Sequence, residues 1–202
     1  MITRHTADTV RTTWLLRHGE TPWSIAGRHT GRTDVALTER GERQAAALGR
    51  HLGGRAFALV LTSPLCRAAD TCRLAGYADV AERDDDLLEW DYGAFEGKTS
   101  REIRAERPAW TIWNDGASGG ETPDEVGRRA DRVIARVRAA VGDVALFAHG
   151  HLLRTLAARW LDLPTRAGGS LTLDTASVSV LGVERERCVI QHWNEICHLS
   201  GE

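Results

Sequence analysis

Lysine is almost missing from this chain: Lys98 is its sole example, and every other basic side chain is arginine. Average composition carries abundant lysine, so the skew reads as a bias of the coding genome rather than a functional device. One-sided charge is missing too. The formal net charge is -2 over 202 residues, which leaves no global positive field for nucleic acid. No apolar run reaches the ~18–20 residues of a membrane-spanning helix. The opening MITRHTADTVRTT lacks the apolar centre of a secretory leader. Cys66, Cys72, Cys188 and Cys197 form no C-x-x-C pair, which argues for incidental thiols over zinc or redox chemistry. Repeats, low-complexity tracts and long linkers are also lacking. The chain therefore reads as one domain over 1–202, with 1–11 as a flexible N-terminus, in a cytoplasmic protein long enough to bury a core.

What is present is punctuated α/β patterning. Residues 12–16, 57–62 and 144–149 are short apolar runs that read as buried strands. Thr38 is placed to cap a helix reaching Leu52, and Ser63-Pro64 to open another reaching Leu74. Thr99-Ser-Arg-Glu102 and Thr122-Pro-Asp-Glu125 are capping boxes, the second followed by the stripe Val126, Ala130, Val133, Ile134 and Val137. A helix from about His151 to Leu161 stops before Pro164. Segments 170–174, 177–183 and 188–193 alternate and predict antiparallel strands, with an edge open to a homodimer. Apolar strands alternating with helices predict an α/β fold, a mostly parallel central sheet with helices on both faces.

In such sheets ligands gather beyond the carboxyl ends of the strands. The first predicted strand ends in Arg17-His18, the second leads to Ser63-Pro64 and Arg67, and the third ends in His149-Gly150-His151. Arginine forks suit phosphate oxygens, and helix N-termini near 63 and 151 are expected to add backbone donors. A site that only held phosphate needs no imidazole at its centre. Beside arginine, a neutral His18 keeps a lone pair for in-line attack on phosphorus, with Arg17, Arg67 and a protonated His149 balancing charge. Gly19 lets the backbone approach closely. Glu89, between Leu87-Leu88 and Trp90, sits in an apolar setting that suits a general acid for the leaving group. Trp90, Tyr92, Trp110 and Trp113 are candidates for core packing or a substrate wall. His149-x-His151 also has the look of a metal pair, but the neighbouring arginines oppose a cation. His29, His51, His192 and His198 read as surface or packing residues.

The blocks 15-LLRHGET-21, 27-GRHTGRTDVALTERG-41, 63-SPLCRAADT-71, 87-LLEWDYGAFEG-97, 120-GET-122 and 147-FAHGHLLR-154 together resemble, in order, the histidine phosphatase (phosphoglycerate mutase-like) superfamily. Within it the form is most similar to the acid phosphatase and sedoheptulose-bisphosphatase branches. The resemblance implies a phosphoglycerate mutase-like fold and a phosphatase of small-molecule phosphate esters. In it His18 is the phosphorylated nucleophile, Arg17, Arg67 and His149 form the phosphate pocket, and Glu89 is the proton donor. Ser24, Thr30, Gly31, Trp90, Tyr92, Gly150 and His151 are assigned to substrate binding. Relatives often carry asparagine at the Ser24 position and glutamine near Thr30, and both replacements here are shorter donors. No metal or other cofactor is expected, and neither nucleic acid nor membrane as a partner. A cofactor-dependent phosphoglycerate mutase is the alternative, disfavoured because 108-PAWTIWNDG-116 lacks the arginine pair that holds a substrate carboxylate. A catalytically idle phosphate-ester binder is the remaining one.

Overall fold

The computed structural model describes residues 11–201. All of the expected flexible stretch except Arg11 lies outside the described residues. The strands are β1 (Thr13–Arg17), β2 (Leu59–Thr62), β3 (Ala81–Arg83), β4 (Val144–Ala148), β5 (Val178–Glu184) and β6 (Arg187–Glu195). They form one sheet in the order β3-β2-β4-β1-β5-β6. The first four are parallel, while β5 runs antiparallel to β1 and β6 antiparallel to β5.

Period-two alternation sends successive strand side chains to opposite faces, and here both faces are covered. Leu15, Leu61 and Leu146 point to one side. There they meet Val126, Val133 and Ile134 of α6 (Pro123–Ala139) and Leu152 and Leu156 of α7 (Gly150–Trp160). Leu16, Val60 and Phe147 point the other way, onto Leu48 and Leu52 of α2 (Glu39–Leu52) and Cys72 of α3 (Cys66–Leu74). Leu146 is completely buried, so truncating it to alanine is expected to cost about 2–5 kcal/mol.

Caps fix where the helices begin. Thr38 accepts from Gly41 N–H, and Thr99 and Thr122 make reciprocal boxes with Glu102 and Glu125. Gly53 ends α2 at φ 59°, the left-handed turn that glycine adopts at no steric cost. The structure differs from expectation in four places. Ser63-Pro64 does not open α3; the cap is Leu65, without a side-chain bond, and Ser63 serves elsewhere. Residues 170–174 are not a strand, because a 3-10 turn over Thr165–Ser170 leads into irregular chain. Residues 21–37, rich in Gly, Thr and Arg without periodicity and so expected to be loop, hold a one-turn helix, α1 (Pro22–Ile25), closed by a Thr21/Ser24 box. The Thr99 box opens α4 (Ser100–Glu106) as expected, but the one-turn α5 (Ile112–Asp115) adds a helix to the aromatic segment that no sequence signal announces. Among the described residues no helix is long and apolar enough to cross a membrane.

Candidate active site

Register brings the candidate residues to one edge. Arg17 of β1 lies opposite Ala148 of β4, and Thr62 of β2 opposite Phe147. The next residues, His18, Ser63 and His149, therefore emerge together, and the two imidazole centroids are 5.2 Å apart. The loop after His18 is pressed against the first turn of α2. A Cβ on Gly19 would stand 2.4 Å from the Gly41 carbonyl oxygen, and one on Gly41 would stand 2.1 Å from that of Glu20. Only glycine at both positions permits this backbone contact.

His18 Nδ1 lies 2.7 Å from the Gly19 carbonyl oxygen. A carbonyl can only accept, so Nδ1 carries the proton and Nε2 keeps its lone pair. Burial, reinforced by the Arg17 and Arg67 charges, holds the His18 pKa well below the usual imidazole value. The ring is neutral. Arg17 donates through Nη1 to the Leu173 carbonyl, and its buried Nε has no partner. Its guanidinium lies along Gly150, where a Cβ would be 3.4 Å from Cζ. A buried cation with an unanswered donor suits an anionic ligand.

Arg67 is completely buried beneath this layer. Its Nη1 donates to Thr33 O and its Nη2 to Thr30 O and Gly31 O, each at 3.0 Å. Its Nε donates to His149 Nδ1 at 3.2 Å. Those bonds leave one Nη1 hydrogen. Because His149 Nδ1 accepts, Nε2 carries the proton and donates to Ser63 Oγ at 2.7 Å. The expected protonated His149 is thus corrected to a neutral one. Burial first, then Arg67, His18 and Arg17, keep its pKa well below the ordinary value.

Glu89 also differs from expectation. Its carboxylate meets backbone donors rather than an apolar wall. Oε1 accepts from Trp90 N and Leu152 N at 2.9 Å, and Oε2 from His151 N at 3.0 Å. The first turn of α7 is thereby occupied by a carboxylate of the chain itself. The N-terminus of α3 is likewise met by Asp34, whose Oδ1 accepts from Cys66 N at 2.8 Å. The two helix N-termini expected to face phosphate have therefore been met by carboxylates.

A cavity of about 340 Å3 opens over the edge. Arg17, His18, Ser24, Thr30, Glu89, Tyr92, Gly150 and His151 line it, as the sequence reading expects. The Ser24 hydroxyl is already engaged with Thr21, and that of Thr30 with the Arg28 carbonyl. Tyr92 OH and His151 Nδ1 share a 2.7 Å hydrogen bond. Arg67 and His149 lie below the lining. Gly31 lies outside it, with its N–H on Glu96 and its carbonyl on Arg67. Trp90 is core, completely buried with Nε1 on the Glu121 carbonyl.

Of the lining or supporting residues that the sequence does not announce, four bear on the chemistry. Ser63 was read as a helix cap and instead holds His149. His29 lies against Tyr92 at 4.7 Å, and burial first, then Arg104, lowers its pKa to about 4. Arg28 also lines the cavity. Arg154 sits one helical turn beyond Gly150 and His151, a spacing that could have revealed it. Its Nε and Nη2 donate to Gly168 O and Gly169 O, and its guanidinium lies 4.6 Å over the Trp113 ring.

Comparison with known proteins adds likenesses over most of the chain. The family model of the histidine phosphatase superfamily (branch 1) matches residues 13–196. The chain is 42% identical over 174 residues to an acid phosphatase of Mycobacterium tuberculosis, covering 84% of this chain and 85% of that one. It is 37% identical over 182 residues to sedoheptulose 1,7-bisphosphatase of Saccharomyces cerevisiae, covering 74% and 67%. Among solved structures, the native mycobacterial glucosyl-3-phosphoglycerate phosphatase superposes with a TM-score of 0.83 at 30% identity, covering 93% of this chain and 100% of that one.

Proposed function

The chain belongs to the histidine phosphatase superfamily and is a phosphoric monoester hydrolase; we propose that it works through a phosphohistidine on His18 and acts on small-molecule phosphate esters. The observation that carries this reading is the His18 ring itself, neutral, with Nδ1 tied to the Gly19 carbonyl and Nε2 left for the cavity. Nε2 attacks phosphorus in line as the ester P–O bond breaks. Arg17, through its unpartnered Nε, and the remaining Nη1 hydrogen of Arg67 take the charge of the transferring group. Glu89 Oε2 accepts a single backbone hydrogen bond, which leaves it a lone pair to carry the proton given to the leaving alkoxide. Water then attacks the phosphohistidine, returning a proton to Glu89 and releasing phosphate. A mutase is not favoured, since the relatives above are named as phosphatases.

The alcohol side of the substrate faces Glu89, and the cavity that Glu89 lines also holds two more cations, Arg154 and Arg28. That suits an ester whose alcohol carries a second anionic group. The substrates in the names of two relatives, a bisphosphate and a phosphoglycerate ester, have that form. The test is a phosphate-release screen over phosphorylated metabolites with one and with two anionic groups, coupled to trapping of acid-labile protein phosphate. We expect label on His18, and His18→Ala to lose both label and turnover by at least about 10⁴-fold. Full activity in that variant sinks the mechanism. Interconversion of 2- and 3-phosphoglycerate outpacing phosphate release restores the mutase alternative.

A further inference from the structure

We propose that His51, Glu195 and Cys197 form a binding site for a borderline-soft divalent cation of the zinc type. The three come from the last turn of α2, the end of β6 and the 3-10 turn that follows it. Cys197 Sγ donates to Glu195 Oε1 at 3.0 Å, and His51 Nε2 lies 3.8 Å from the same oxygen. Among the described residues, the ligand atoms of this group all fall within 4.8 Å of one another. Around tetrahedral zinc, with bonds of about 2.0–2.3 Å, ligand atoms stand roughly 3.3–3.8 Å apart. Side-chain adjustments of about an ångström therefore close the site.

The donor set decides the cation. A thiolate with an imidazole selects against magnesium and calcium, which take oxygen ligands. Three protein ligands leave a fourth position to water. The surroundings favour positive charge as well, because His51 sits at the carbonyl end of α2. The ring of His198 stacks on that of His51 at 4.8 Å and 28°, which fixes the plane of the ligand. Ligation takes the thiolate, so each cation bound displaces the Cys197 thiol proton to solvent.

The site is also tied to the sheet edge. His198 Nε2 lies 3.0 Å from the Ala176 carbonyl oxygen, and Ala176 N donates to the His18 carbonyl at 2.9 Å. A bound cation would clamp the segment after β6 to α2 and brace the backbone that carries His18. None of the three ligands lines the cavity, so the site stands or falls separately from the phosphatase mechanism. The absence of C-x-x-C spacing hid it, because its ligands come from separate segments.

The test uses the untagged full-length chain, reduced and stripped of metal, titrated with Co2+ and then with Zn2+. We expect one equivalent to bind with a near-ultraviolet thiolate-to-cobalt band that Zn2+ removes, together with a rise in melting temperature. Cys197→Ser should abolish the band and weaken Zn2+ binding on the order of 100-fold, while hydrolysis of a chromogenic phosphate ester, which reports the fold, stays unchanged. Cys188→Ser should keep the band. Binding without the band, or a band that survives Cys197→Ser, overturns the proposal.

Discussion

The same parallel strands begin and end in unlike surroundings. At their amino ends charge is answered locally. Asp143 accepts from Thr12 N at 2.9 Å and meets Arg55 Nη1 at 3.4 Å, with the arginine half exposed. At their carboxyl ends Arg17 and Arg67 are buried against carbonyls and a histidine, and among the described residues no carboxylate pairs with either. An unpaired buried cation costs several kcal/mol. One end of the sheet is built for stability, and the other accepts instability in a form that suits an anionic ligand.

Acid should separate the two ends most strongly. His18, His149 and His151 have pKa values held well below 6.5, and that of His29 falls to about 4, in each case mainly by burial. As pH drops from 6.5 towards 4, the unfolded chain takes up protons that the folded chain refuses. Stability is therefore full above 6.5 and falls on acidification, by up to about 1.4 kcal/mol per pH unit for each histidine. Denaturant unfolding at about pH 7 and about pH 5 measures this, and equal stabilities at both would break the contrast. The same neutral rings predict that kcat/KM loses nothing to His18 protonation near pH 6.5.

Arg17→Met comes next. It should lower kcat/KM about 10³-fold while stabilising the ligand-free protein by about 1 kcal/mol. A variant that loses both activity and stability would show that the cation braces the fold after all. Glu89→Gln should slow alkyl phosphates about 100-fold and aryl phosphates far less, because aryl alcohols leave without a proton. Equal losses on both remove Glu89 from that role. At the amino ends Asp143→Asn keeps the acceptor for Thr12 and removes only the ion pair. It should cost less than about 1 kcal/mol, with no effect on turnover, and a larger loss would erase the distinction.

Much of this was legible in sequence because strand ends and caps are local signals. Leu15-Leu16, Leu61 and Leu146 announce buried strands, and Thr38, Thr99 and Thr122 announce helix starts, each through residues within a few positions. The phosphatase-like blocks were readable for the same reason. What failed to show was partnership across the fold. Nothing near Ser63 indicates that its hydroxyl waits for His149, and nothing near Glu89 indicates that α7 supplies its donors. Trp90 stays open in sequence between core and substrate wall, because an aromatic beside a site residue carries no sign of which way it points. The 170–174 segment alternates like a strand, but Thr165–Ser170 turns into it and no strand among the described residues pairs with it.

The two helix N-termini met by Asp34 and Glu89 have a consequence for how such a site can change. A phosphate cradled by backbone N–H groups is recognised whatever side chains surround it, and such a cradle resists alteration. On the function proposed above, anion recognition falls instead to guanidinium groups, each set by a single codon. Exchanging Arg28 or Arg154 changes the wall of the cavity and leaves His18 and its Gly19 partner in the sequence. Choice of ester and chemistry of transfer are thereby inherited separately, and a descendant of this chain can acquire a new substrate while keeping the old reaction.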